Sequence, residues 1–311
     1  MSPPRTMVTL AFTALLGVTV SACSGSSGGT NGTAGTADTV KVVASFYPVQ
    51  YAVEQIGGSH VSVTSLTKPG AEPHDIELSP KDVAAVSDAD LITYAAGFQP
   101  AVDEAVSQEG SNHALDLAPA ADLTLAAPAE GGAPAAAGAK DPHFWLDPQR
   151  FEAVGKQIGA RLAQVDPTHA ADYAAGTARF VTQLTQLDAE LKAGTASCAR
   201  TDLVTSHAAF GYLAQRYGFT QVPITGLDPE VEPSGSVLAE ITDFVRAHGV
   251  TTIYAETLVE PKFAETIART TGATVATLDP IEGITSASKG QTYPEVMRAD
   301  LAALRAGQGC S

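Results

Sequence analysis

Two runs of short β-branched segments alternating with helical ones, separated by one long amphipathic stretch, constrain this chain more than any other feature of its sequence. In the first run, residues 40–46 are a β-branched segment stopped by Pro48, 49–56 are helical up to Gly57-Gly58, and 61–66 alternate as a strand does. Ser79-Pro80 sets an N-cap residue before a proline at the first helical position, opening a helix through Val86; residues 91–94 are the next strand. The divider begins at Asp166-Pro167. Tyr173, Phe180, Leu184, Leu187 and Leu191 then recur on one helical face until Gly194. A helix of that length would span ~39 Å.

The second run repeats the first. Strands are expected at 203–206, 222–224, 251–254 and 274–278, with helices at 208–217, 237–248 and 261–271. Strands that alternate with helices build parallel sheets covered on both faces. The expected fold class is therefore α/β: two lobes, each a mainly parallel sheet flanked by helices, joined by one long rigid helix. The expected divisions are an N-terminal lobe at 39–165, a linking helix at 166–194 and a C-terminal lobe at 195–311. Residues 118–140 degenerate into Ala, Pro and Gly and read as a mobile loop.

The N-terminal end reads as targeting. Arg5, the apolar run 7–20 and Val20-Ser21-Ala22-Cys23 make residues 1–22 a signal peptide. The small residues before Cys23 resemble a bacterial lipobox, which implies lipidation of Cys23; an ordinary secretory signal is the alternative, and either exports the chain. Residues 23–38, rich in Ser, Gly and Thr, read as a flexible tether. No later run reaches the ~20 apolar residues of a membrane helix, so membrane attachment rests on the lipid. The formal charge of −16 argues against nucleic acid and anionic lipid surfaces as partners. In an oxidising compartment Cys198 and Cys310 form an even pair, expected as a disulfide between the second lobe's start and the C-terminal tail, with two free thiols the alternative.

Three of the seven histidines stand in distinctive settings. His74 follows a strand within 69–80, His143 lies in Asp-Pro-His-Phe-Trp-Leu-Asp-Pro at 141–148, and His207 opens the segment after 203–206. Asp279 follows the last strand in Leu-Asp-Pro. Ligands of open α/β sheets collect at the carboxyl ends of strands, where such loops emerge. Three imidazoles and one carboxylate complete a tetrahedral shell for Zn²⁺. Spacing alone does not prove that they meet, since none has the short helical repeat of a zinc protease.

The segments 69–80, 141–148, 206–213 (Ser-His-Ala-Ala-Phe-Gly-Tyr-Leu), 255–263 (Ala-Glu-Thr…Pro-Lys-Phe) and 278–280 occur in an order that resembles the zinc- and manganese-binding solute receptors of ABC importers. The resemblance covers nearly all of residues 40–311. It implies His74 and His143 as metal ligands from the first lobe and His207 and Asp279 from the second. It places Glu256 near the metal, as an acceptor orienting a ligand imidazole, as a ligand in place of Asp279, or as a structural acid. Histidine at position 207, where manganese receptors tend to carry a carboxylate, tilts the expected cargo to Zn²⁺, with Mn²⁺ the alternative. The implied partners are an ABC permease and a metallochaperone, with the receptor itself a monomer. The histidine-rich loop of many zinc receptors is missing here, because residues 124–140 contain no histidine. Two competing functions are a zinc hydrolase, which would need an open coordination position and a general base, and a metal-containing surface adhesin.

Overall fold

The computed structural model describes residues 39–129 and 136–311. The expected signal peptide, the tether and Cys23 lie outside the described residues. In the N-terminal lobe β1 (Val40–Ala44), β2 (Val61–Ser65), β3 (Leu91–Tyr94) and β4 (Ala114–Asp116) pair in the order β2-β1-β3-β4. In the C-terminal lobe β5 (Asp202–Thr205), β6 (Thr220–Pro223), β7 (Thr252–Ala255) and β8 (Thr274–Thr277) pair in the order β6-β5-β7-β8. Every pairing is parallel, and the first strand of each run lies inside its sheet. Each chain run therefore crosses first to one side and then to the other. That reversal leaves a crevice at the carboxyl ends of the strands.

The helices are α1 (Tyr47–Gly57), α2 (Pro80–Ser87), α3 (Pro100–Ala105), α4 (Ala118–Ala121), α5 (Pro148–Val165), α6 (Ala170–Thr195), α7 (Gly211–Tyr217), α8 (Gly235–His248), α9 (Lys262–Thr271) and α10 (Tyr293–Gln308). α2 starts as expected: Ser79 Oγ accepts from the Asp82 N–H while Asp82 accepts from the Ser79 N–H. This reciprocal cap satisfies donors that a helix start otherwise leaves unpaired. The long helix differs at both ends from its sequence reading. Pro167–His169 forms a 3₁₀ turn before α6, and α6 runs through Gly194 to Thr195. Gly194 does not stop the helix: a Cβ there would lie 2.7 Å from Leu301 Cδ1, so the missing side chain admits α10.

α6 packs against α1, α5 and α10, and one apolar core runs continuously from Val42 and Leu91 through Phe151 and Leu184 to Leu203 and Tyr293. Within the stretch expected as a mobile loop, the described residues are tied down. α4 forms there, Ala126 bridges Lys140 in antiparallel fashion, and the Leu125 N–H donates to Tyr212 Oη at 3.3 Å. A disulfide joins Cys198, just beyond α6, to Cys310, just beyond α10. No helix of the described residues is long and apolar enough to cross a membrane.

Candidate metal centre

Four loops deliver four side chains to one point. After β2, the Ala71 N–H donates to the Lys68 carbonyl around Pro69 and Gly70, whose φ of 80° only glycine adopts freely. That turn sends the following segment, with His74, toward the second lobe. His143 comes next to the 3₁₀ turn Phe144–Leu146, and His207 stands two residues beyond β5. Glu282 lies in the segment after β8. His143, His207 and Glu282 are fully buried, while His74 keeps a thin edge to solvent.

All three Nε2 atoms face one oxygen. Glu282 Oε1 lies 3.3 Å from His74 Nε2, 2.9 Å from His143 Nε2 and 3.3 Å from His207 Nε2, and His74 Nε2 lies 3.3 Å from His143 Nε2. With Zn–N bonds of about 2.0–2.1 Å, the donors of a tetrahedral shell stand about 3.3 Å apart, so these separations match the edges of such a shell. The four ligand atoms lie within 4.8 Å of one another, and this is the one such group found among the described residues.

Carboxylates fix two of the rings from behind. His143 Nδ1 lies 2.7 Å from Asp141 Oδ1, which also accepts the His143 backbone N–H at 2.9 Å. His207 Nδ1 lies 2.8 Å from Glu256 Oε1. A carboxylate at Nδ1 holds the proton there and leaves the Nε2 lone pair pointing inward, the arrangement that metal-bound histidines share. Lone pairs on three nitrogens around a carboxylate oxygen repel one another. The cluster thus calls for positive charge at its centre, from protons or from a cation.

The charges follow the same logic. Burial alone would depress His207, but Glu256 and Glu282 lift its pKa well above the ordinary value. His143 is raised as well, Asp141 and Glu282 outweighing burial. For His74, burial wins and the pKa falls. Burial would raise Glu282, yet His207 and the hydrogen bonds of the three rings hold it well below the usual carboxylate range. Glu72, whose two oxygens accept the His74 backbone N–H, is pushed up to about 8 by burial and by the charge of Glu282.

The structure brings His74, His143 and His207 together but puts Glu282, not Asp279, beside them. Asp279 is engaged within its own loop: Oδ1 accepts the Ile281 N–H at 2.8 Å and Oδ2 accepts the Ser288 hydroxyl at 2.7 Å. Asp-Pro is a turn opener, and its side chain serves the turn three residues before the acid that reaches the cluster. Glu256 stands behind His207 and outside the four-residue group. Two residues went unread in the sequence. Glu282 was signalled only by a second acid in Leu-Asp-Pro-Ile-Glu, and Asp141 by an acid two positions before His143.

Comparison with known proteins identifies the family. The family model described as "ZnuA: Zinc-uptake complex component A periplasmic" matches residues 42–307. The high-affinity zinc uptake system protein ZnuA of Bacillus subtilis (strain 168) is 33% identical over 274 residues, covering 85% of this chain and 86% of that protein. The zinc-binding protein AdcA of Streptococcus pyogenes serotype M6 is also 33% identical, over 86% of this chain but only 55% of its own length, so the chain spans about half of that relative. Among solved structures, laminin-binding protein Lmb of Streptococcus agalactiae, described as bifunctional with adhesin and metal-transporting activity, superposes with a TM-score of 0.77 at 34% identity, covering 86% of this chain and 99% of that one. A ZnuA crystal structure gives 0.75 at 27% identity over 87% of this chain and 100% of that one. The chain is a member of the ZnuA family of periplasmic zinc-uptake components.

Proposed function

We propose that this chain is an extracytoplasmic receptor that captures Zn²⁺ between its lobes, through His74, His143, His207 and Glu282, and passes it to the permease of an ABC importer. The observation that carries this reading is the convergence of three Nε2 atoms on Glu282 Oε1 at tetrahedral spacings. Nitrogen-rich donor sets suit zinc better than manganese. Four protein donors also close the shell, leaving no coordination position for a reacting water and so no basis for a hydrolase. Zinc-bound structures among its structural neighbours, including AdcA of Streptococcus pneumoniae at 30% identity, support the choice of metal.

The finer details of the reading rest on sequence. Attachment by a lipid on Cys23 is supported by the small residues before it and by a relative named zinc-binding lipoprotein AdcA. A monomeric receptor that accepts metal from a metallochaperone is compatible with a described loop segment lacking histidine. The adhesin activity of Lmb belongs to that protein.

Titration of metal-free protein against a competing chelator tests the reading. Wild-type protein is expected to take up one Zn²⁺ per chain. His207→Ala is expected to lose most of that affinity, because it removes a donor and strands Glu256 and Glu282 as buried charges. Unchanged affinity in His207→Ala removes His207 from the site.

A further inference from the structure

We propose that Asp279 is the positioning residue for Glu282: it folds the turn that aims the Glu282 carboxylate at the three imidazoles. The proposal rests on the receptor reading above and names how its fourth donor is set.

Glu282 has little of its own to hold it. Its Oε1 touches only the three rings, and its Oε2 has no hydrogen-bond partner among the described residues. Its direction must therefore come from the backbone that carries it. That backbone is unusual, because Ile281, directly before it, has a φ of 57°. A β-branched residue in the left-handed region is a genuine outlier, costly unless its surroundings impose it.

The surroundings here do so from several directions. The Asp279 carboxylate accepts the Ile281 N–H at 2.8 Å, closing a side-chain-capped turn around Pro280. Its other oxygen is fixed by Ser288 Oγ at 2.7 Å. The Asp279 N–H in turn donates to Asp300 Oδ1 on α10 at 2.9 Å. The Pro280 carbonyl accepts the Trp145 indole N–H at 2.7 Å. Trp145 lies two residues after His143, so the turn that aims Glu282 is keyed to the segment that presents His143. Ile281 itself is fully buried in the core and cannot swing out to relieve its backbone. Asp279 is thus the hub: one side chain reads the position of Ser288 and imposes the conformation of Ile281.

The chemistry of the acceptor supplies a clean test. Asparagine keeps an oxygen for the Ile281 N–H and can meet the Ser288 hydroxyl with its amide, but it carries no charge and is a poor metal ligand. Alanine removes both contacts. Zn²⁺ affinity is measured by chelator competition on wild type, Asp279→Asn, Asp279→Ala, Glu282→Ala and the Asp279→Ala/Glu282→Ala double variant. The visible spectrum of the Co²⁺-loaded proteins is recorded in parallel, with circular dichroism to confirm folding. Asp279→Asn should stay within about threefold of wild type with the same Co²⁺ bands, while Asp279→Ala should lose roughly ten- to a hundredfold, the usual range for residues that orient ligands. In the Glu282→Ala background the Asp279→Ala change should cost nothing more, since Asp279 acts through Glu282. Equal losses in the Asn and Ala variants, or additive losses in the double variant, overturn the proposal and leave the receptor reading standing. Wild type that fails to bind Zn²⁺ sinks both. If Asp279→Ala does not fold, Ser288→Ala replaces it: a several-fold loss there, with Asp279→Asn near wild type, supports the positioning role, and unchanged affinity there overturns it.

Discussion

The three imidazoles of the cluster are not equivalent, because each meets a different balance of burial and charge. His207 is held between Glu256 and Glu282 and keeps its proton well above the ordinary range, whereas His74 gives its proton up early. A metal takes only the neutral ring, so on the proposed reading an incoming cation competes with protons for His207 and for His143, whose pKa is raised as well. Affinity is expected to rise with pH until the raised pKa values of His207 and His143 are passed and to fall as pH drops below them. Calorimetry of Zn²⁺ binding in buffers of different ionisation enthalpy should show net proton release on binding, because both His207 and His143 have raised pKa values. A binding enthalpy independent of buffer would contradict this. At this scale the histidines were legible because prolines and strand ends mark their segments. Glu282 was not, since its role depends on the left-handed turn at Ile281, which no local pattern announces.

The helices show how packing can hide an element from sequence. α6 was legible from the stripe of Tyr173, Phe180, Leu184, Leu187 and Leu191, all buried. α5 carries a comparable stripe in Phe151, Val154, Ile158 and Leu162, yet Gly155 and Gly159 interrupt it with residues that lower helix propensity. Those glycines exist because α6 comes so near: a Cβ at Gly159 would lie 2.0 Å from Thr177 Oγ1, and one at Gly155 2.5 Å from Phe180. Gly176 of α6 meets backbone instead, where a Cβ would stand 2.2 Å from the Ile56 carbonyl oxygen of α1. A carbonyl at the end of a helix cannot turn aside as a side chain can. Gly176→Ala should therefore destabilise the protein by about 1–3 kcal/mol through overpacking, despite alanine's better helix propensity. Urea unfolding midpoints would measure it, and a stabilised variant would show that α1 yields easily.

At the scale of the whole molecule, both sheets share one strand order, and both place ligand-bearing loops beyond their strands' carboxyl ends. The α/β class and the two-lobed plan were legible because strand and helix periodicity alternate twice. What sequence could not supply was the convergence of the loops, since that depends on contacts made only after folding, such as Tyr212 Oη to the Asp141 carbonyl at 3.1 Å and Trp145 Nε1 to the Pro280 carbonyl. The Cys198–Cys310 bond belongs to this scale too, with partners 112 residues apart. Cys198 precedes β5 and His207 follows it, so the bond and the cluster flank opposite ends of that strand. Replacing both cysteines with serine should cost about 2–5 kcal/mol of stability, read from urea unfolding. Zn²⁺ affinity should stay within twofold, and a large loss would tie the bond to the site.

The same bond makes the C-terminal lobe a closed covalent loop, with the last strand, the last helix and Glu282 all inside it. A protease that nicks the backbone anywhere between the two cysteines severs the chain without releasing a fragment. The cut protein migrates as one species until a reductant is added, and Glu282 stays tethered to the three histidines it faces.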